Sequence, residues 1–235
     1  MAGHFSLQPQ KKTEFTPVIW SVTDLTHYPR MLRVPSAARL AYLAQLKNNM
    51  PPRADWDDMA DVLLLAGEST VKQHLFYTQA KQGNADAARR LVDDCLTPTA
   101  REAVRNHLAP LMTEEPLILA CAHAWEGQGI NAIPAILAKR LSEALSLKYE
   151  QELIQTNYVG HTSADGFTRL ARQASFEGPV MIGANYVMVD DFVGQGGTLA
   201  NLRGHLIKNG GNVVGAIVLT GKSHSAKLNP SKEQL

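Results

Sequence analysis

Cysteine is scarce in this 235-residue chain: Cys95 and Cys121 are the only two. No apolar stretch of signal-peptide length opens it between Met1 and Lys12. Two thiols far apart in sequence, without a secretory start, predict reduced side chains in a cytoplasmic protein rather than a disulfide staple. An excess of either charge is missing too, since 23 Lys and Arg stand against 22 Asp and Glu. That balance argues against a global nucleic-acid or polyanion binder and leaves only a local basic patch open. No apolar run reaches the length a membrane helix needs. Neither GxxxxGK[ST] nor GxGxxG occurs, so the two common nucleotide-binding loops are excluded. The chain has no internal repeat, no metal-ligand spacing in its first half and no Ser/His/Asp or Cys/His arrangement. His74 and His107 stand alone, and a lone histidine on a helix is more often structural or solvated than a ligand.

What the chain does have is concentrated between Asn185 and Gly211. Tyr186-Val187-Met188-Val189 is a short run of strand formers that ends at two carboxylates, Asp190 and Asp191. The loop Phe192-Val193-Gly194-Gln195-Gly196-Gly197 follows, and Thr198 is placed to cap a helix with Leu199, Leu202, Leu206 and Ile207 on one face. Asn209-Gly210-Gly211 tolerates the left-handed backbone that ends a helix. A second apolar run, Val213 to Leu219, makes the unit a βαβ crossover and the sheet parallel. Ligands of such sheets bind beyond the carboxyl ends of the strands, where this loop lies. Glycine-loop amides aimed with a helix N-terminus suit a phosphate, and adjacent carboxylates suit ribose hydroxyls, directly or through magnesium. The plain alternative is an ordinary α/β turn with both aspartates solvated.

An apolar strand, Asp-Asp, an apolar pair, two loop residues and Gly-Gly-Thr-Leu together resemble the phosphoribosyl-pyrophosphate (PRPP) motif of the type I phosphoribosyltransferase family. The resemblance implies a Rossmann-like α/β core with a parallel sheet, Asp190 and Asp191 beside the ribose, and Gly194, Gln195, Gly196, Gly197 and Thr198 around the 5-phosphate. It also implies Mg2+ as cofactor, reaching Asp190 and Asp191 through the ribose, and PRPP plus a small nitrogen nucleophile as substrates. A homodimer is left open. The family usually carries small hydroxyl residues in mid-loop, where this chain has Gly194-Gln195, a departure that bears on phosphate binding. The glycine run and the long segment before Asp-Asp resemble the competence-associated branch more than the purine salvage enzymes.

The rest of the chain falls around that unit. Residues 1–35 form an unassigned arm, with a short strand at Phe15 to Trp20 and a turn at Tyr28-Pro29-Arg30 as candidates. Residues 36–113 read as a helical appendage, with helices from Ser36 to a stop at Asn48-Asn49, over Asp57 to Ala66, Ser69 to Gln82, Asn84 to Cys95 and Thr99 to Leu111. Residues 114–235 read as the α/β domain, short of the further strand the family usually carries. Leu117 to Ala122 is its first strand, and a helix runs from about Asn131 to Leu145. The loop between them, with His123, Ala124, Trp125 and Gly127, matches the family's pyrophosphate loop in position. Glu126 there opposes an anion, and Trp125 either shapes the pocket or packs at the domain junction. Glu152 to Gln155 is a candidate second strand. The long polar stretch from Thr156 to Gly183 matches the family's lid, with Arg169 and Arg172 either facing pyrophosphate, which a planar guanidinium binds well, or forming a solvated basic face.

If function follows the resemblance, pyrophosphate is displaced from C1 of PRPP by a nitrogen nucleophile through an oxocarbenium-like state. The same pocket also fits a non-catalytic PRPP or nucleotide sensor, in which the helical half holds a partner. Gln195 and Glu126 favour the sensor, and the long segment with its arginines favours the enzyme. The region after the Val213 to Leu219 run, Thr220 to His224, offers no aromatic to stack on a base.

Overall fold

The structure, a computed structural model, describes residues 51–56, 59–126, 129–157 and 173–223; at 125, 126 and 129 it describes the backbone. The chain divides into two compact units, Met1–Asn49 and Met50–Leu235, and every described residue lies in the second. The strand, turn and helix expected before Asn49 lie outside the described residues.

In chain order the strands are β1 Leu63–Leu64, β2 Leu117–Ala120, β3 Trp125–Glu126, β4 Gly129–Ile130, β5 Lys148–Glu150, β6 Ile154–Gln155, β7 Phe176–Glu177, β8 Asn185–Val193 and β9 Asn212–Gly221. The helices are α1 Glu68–Lys72, α2 Tyr77–Lys81, α3 Ala85–Cys95, α4 Pro98–Leu108, α5 Ile133–Leu145 and α6 Gly197–Lys208. Five strands form one sheet in the order β1-β9-β8-β2-β5, and every adjacent pair is parallel. The expected α/β class with a parallel sheet is therefore the architecture. The chain leaves β2 toward β5 on one side and returns through β8 on the other, so the strand order reverses between β2 and β8. In open α/β sheets that reversal opens a crevice at the strands' carboxyl ends.

Alternation along the central strands sorts two cores, one on each face. Leu117, Leu119, Val187, Val189, Ile217 and Leu219 pack with α3, α4 and α5, while Ile118, Ala120, Tyr186, Met188, Ala216 and Val218 pack with α6. Strands covered on both faces are nearly continuous in apolar residues, as these are. Each fully buried Leu, Ile or Val contributes about 1.5–3 kcal/mol in area terms. Tyr186 is fully buried because its hydroxyl has a partner, accepting from the Met181 N–H at 2.8 Å.

Several helix boundaries follow from local chemistry. The Asn84 side chain accepts from the Ala87 N–H and starts α3, and the Thr97 hydroxyl accepts from the Ala100 N–H ahead of Pro98 and starts α4. The Asn131 side chain accepts from the Ile133 N–H at 3.1 Å just before α5. At the end of α6, Gly210 takes φ +90°.

Other expectations are corrected. Asp57 to Ala66 was expected to be helical, but Leu63–Leu64 is the edge strand, aligned with Ile217 and Val218. That strand, together with Val71, Leu91 and Leu108, belongs to the shared core, so the described part of 36–113 is not an appendage beside the α/β domain. The helix expected over Ser69 to Gln82 is two helices, broken where the Phe76 N–H donates to His74 Nδ1. His74 in turn pairs with Asp94 at 3.1 Å. The second strand is Lys148–Glu150, alongside β2, whereas Ile154–Gln155 pairs antiparallel with β7 outside the main sheet. Ile207 does not join Leu199, Leu202 and Leu206 in the core, being 42% exposed.

Candidate functional site

β8 does not stop at the aspartates. It continues to Val193, so Asp190 and Asp191 lie within the strand, with Asp190 aligned to Val218 and Phe192 to Thr220 on β9. Continued pairing holds the carboxylates on rigid backbone rather than on a loop. The close fit of β9 maintains it, because a Cβ on Gly221 would come within 2.4 Å of Val193 Cγ1.

The two carboxyls have different surroundings. Asp190 Oδ1 accepts from the Asp191 N–H at 2.8 Å. Burial, followed by the adjacent Asp191 charge, holds the Asp190 carboxyl well above the usual carboxylate range; the Asp191 N–H and the Lys81 charge pull the other way without cancelling this. Asp191 is buried and accepts from Lys81 Nζ at 3.0 Å. Lys81 is the last residue of α2, and sequence reasoning missed it.

The glycine loop leads directly into α6. Gly196, at φ 72° and ψ 3°, occupies the N-cap in the left-handed conformation, and the helix begins at Gly197. Thr198, expected to cap, lies inside the first turn, and no side chain caps this end. The amides of the first turn are therefore left to a ligand or to solvent. Gln195 is exposed in mid-loop. Lys72 Nζ sits 4.5 Å from the centre of the Phe192 ring, adding a second cation beside the strand end.

A strap formed by 52–55 crosses α6. The Ala54 N–H donates to the Ala200 carbonyl at 3.1 Å, and Asn201 Nδ2 donates to the Pro52 carbonyl at 3.1 Å. Arg203 Nη1 donates to the Asp55 carbonyl, and Arg53 Nη1 lies 3.5 Å from both the Gly197 carbonyl and Asn201 Oδ1. Asn201 also donates to Gln173 Oε1 at 3.0 Å, tying α6 to the residues that follow 158–172. At the other side of that segment, Asn157 accepts from the Ser175 N–H at 2.8 Å and donates to the Gln173 carbonyl at 2.7 Å.

The remaining expected site residues belong to other elements. The His123 N–H donates to the Leu153 carbonyl at 2.9 Å, and its carbonyl accepts from the Gln155 N–H, so its backbone is engaged by β6. The Ala124 carbonyl accepts from the Asn131 N–H at 3.3 Å. Trp125 and Glu126 form one arm of a two-stranded hairpin, not an open loop. Gly127, Arg169 and Arg172 lie outside the described residues. An open cavity of about 750 Å3 lies between Leu64–Glu68 and Gly221–Ser223, at the carboxyl ends of β1 and β9.

Taken together, the geometry defines an α/β protein whose parallel sheet presents a carboxylate pair and a glycine turn at a helix N-terminus. No protein-family model matches the chain. Among curated proteins it is similar to protein TraN of Escherichia coli, 35% identical over 177 residues, which is 75% of this chain and 38% of that protein. It is also 34% identical over 157 residues to an uncharacterized protein of Haemophilus influenzae, covering 66% of this chain and 34% of that one. The chain thus spans little more than a third of the length of these relatives. Solved structures similar to it include the adenine phosphoribosyltransferase of Leishmania donovani, at 13% identity and a TM-score of 0.39, covering 76% of this chain and 80% of that one. The hypoxanthine phosphoribosyltransferase of Staphylococcus aureus is another, at 15% identity and a TM-score of 0.38, covering 55% and 65%. No helix among the described residues is long and apolar enough to cross a membrane.

Proposed function

We propose that the chain binds PRPP where β8 meets α6 and transfers the phosphoribosyl group to a nitrogen nucleophile, releasing pyrophosphate. The observation that supports this best is one continuous piece of chain: a parallel strand carrying Asp190 and Asp191, then the left-handed Gly196, then the uncapped N-terminus of α6. Amides from Gly194 to Thr198 would take the 5-phosphate, since a helix N-terminus favours an anion and a glycine turn brings backbone close to it. Asp190 and Asp191 would take the ribose hydroxyls.

In the reaction, the bond from C1 to the pyrophosphate oxygen breaks with its electrons leaving on pyrophosphate, and the nucleophile's lone pair forms the new C–N bond. The proton lost from that nitrogen needs an acceptor. Asp190 or Asp191, the carboxylates this reading sets beside the ribose, would supply it. Arg169, Arg172, His123, Ala124, Trp125 and Gly127 remain the proposed pyrophosphate contacts. Magnesium bound directly on the carboxylates fits the donor set poorly, because Asp191 Oδ2 already accepts from Lys81. Among the described residues no three His, Cys, Asp or Glu side chains converge to hold an ion.

A second reading, a PRPP or nucleotide sensor without turnover, is favoured by the exposed Gln195 in mid-loop and by the lysine already seated on Asp191. The glycine run and the long segment before Asp190 support the competence-associated branch as the finer family reading. Calorimetric titration of PRPP, repeated on the double variant Asp190→Asn/Asp191→Asn, tests the site. A pyrophosphate-release assay over a nucleobase panel then separates enzyme from sensor. No binding by the intact protein would overturn the site, and binding without release would favour the sensor.

A further inference from the structure

We propose that Lys81 is the resident counter-ion of the Asp190–Asp191 pair, so that a ribose 5-phosphate group docks on these carboxylates without a divalent cation bound to them. The inference rests on the assignment of this pair to a phosphorylated ribose. Its own observation is separate from the motif: Lys81 Nζ lies 3.0 Å from Asp191 Oδ2, in a contact where the lysine side chain is 23% and the aspartate side chain 10% exposed. Ion pairs this shielded from water are screened much less than surface pairs. Such a contact persists only where the geometry holds both partners, and here it does. Asp191 sits in a paired strand. Lys81 ends a helix whose preceding residue, Ala80, is wholly buried and whose carbonyl accepts from the N–H groups of both Gly83 and Ala132. Gly83 adopts φ +94° and fits against Ile130, where a Cβ would come within 2.9 Å of the Ile130 carbonyl oxygen. The lysine is thus delivered from rigid backbone, tied to the start of α5.

A magnesium ion needs near-octahedral oxygen ligands at about 2.0–2.1 Å. On Asp191 it would be left Oδ1, with the ammonium already on Oδ2 of the same carboxylate, placing two cations side by side in a poorly hydrated setting. The ammonium already neutralises one carboxylate. The remaining acceptor capacity of the pair is what a ribose diol, a pair of hydroxyl donors, would use. Lys81 thereby does on this chain what a bound ion does elsewhere, balancing charge beside an anionic sugar phosphate.

The test is calorimetric binding of ribose 5-phosphate to the intact chain, in EDTA and in magnesium, for the wild type, Lys81→Arg and Lys81→Met. The wild type is expected to bind within about threefold in the two conditions. Lys81→Arg should stay close to it, and Lys81→Met should bind about tenfold or more weakly in EDTA, with magnesium restoring part of the loss. Wild-type binding that appears only with magnesium would overturn the counter-ion role while leaving the phosphorylated-ribose site standing. Undiminished binding by Lys81→Met in EDTA would overturn it as well. No binding under any condition would remove both the site and this inference. Should Lys81→Met fail to fold, Lys81→Gln, which keeps a hydrogen-bond donor and removes the charge, replaces it with the same expected loss in EDTA.

Discussion

Replacing Gly204 with alanine tests whether the strap truly lies against the helix that carries the glycine loop. Taken alone, the change should help, because alanine in a helix interior is favoured over glycine by about 1 kcal/mol. The structure predicts the opposite. A Cβ at Gly204 would lie 2.5 Å from the Arg53 nitrogen, 2.5 Å from the Pro52 carbonyl carbon and 2.6 Å from its oxygen. All three are backbone atoms, so no side chain can rotate aside. The strap must move away, which strains its bonds from Ala54 to Ala200, from Asn201 to Pro52 and from Arg203 to Asp55. Each is worth about 1 kcal/mol net, and overpacking against immovable atoms ordinarily costs about 1–3 kcal/mol. Set against the helix gain, the net loss is about 1–3 kcal/mol, or a fall in Tm of about 2–12 °C for a chain of this size. Thermal and urea melts of Gly204→Ala should show that loss. Lys208→Ala, at an exposed position of the same helix, should stay within about 0.5 kcal/mol of wild type. A Gly204→Ala protein as stable as wild type, or more so, would mean that 52–55 does not lie on α6.

Three further outcomes follow from the site and the core. Because the fold holds the Asp190 proton more tightly than the unfolded chain does, wild-type stability should fall as pH rises from the ordinary carboxylate value of 3.8 through the raised value. Asp190→Asn, which cannot ionise, should melt above wild type at neutral pH, and the gap should close on acidification; a gap that widens in acid would refute the assignment. Burial, with Asp94 beside Cys95 and Asp190 beside Cys121, pushes the thiols up to about 11 and about 12. Ellman's reagent at mildly alkaline pH should therefore label neither until the chain is denatured, and fast labelling of the native protein would contradict the packing. Gly196→Ala places a Cβ at φ 72°, so it should cost about 1–2 kcal/mol and weaken ribose 5-phosphate binding, whereas an unchanged melt would mean the turn is not left-handed as described.

The parts of this fold that the sequence reveals are those where local pattern and tertiary demand coincide. Val187 to Val189 and Val213 to Leu219 read as strands and are strands, because a run of β-formers covered on both faces suits a central position and little else. Asn84 and the residues after Asn131 mark helix starts because a side-chain amide oxygen satisfies an amide within three residues. Where a distant neighbour decides, the pattern misleads. Met59, Val62, Leu63 and Leu65 have helical spacing, yet the open edge of β9 draws Leu63–Leu64 into the sheet. Ser69 to Gln82 likewise reads as one helix, and contacts at His74 with Asp94 and the Phe76 N–H divide it. The candidate site obeys the same rule. Asp190, Asp191 and the glycines are covalent neighbours, so their chemistry is visible in one stretch. Lys81, which donates to Asp191, is 110 residues away, and Arg53, beside Gly197, is 144 away. Neither has any local signal, because what makes each matter is the fold that brings it there. The motif can thus name the glycine turn and the carboxylates, while the cations beside them come from elements that sequence reading assigns to another domain.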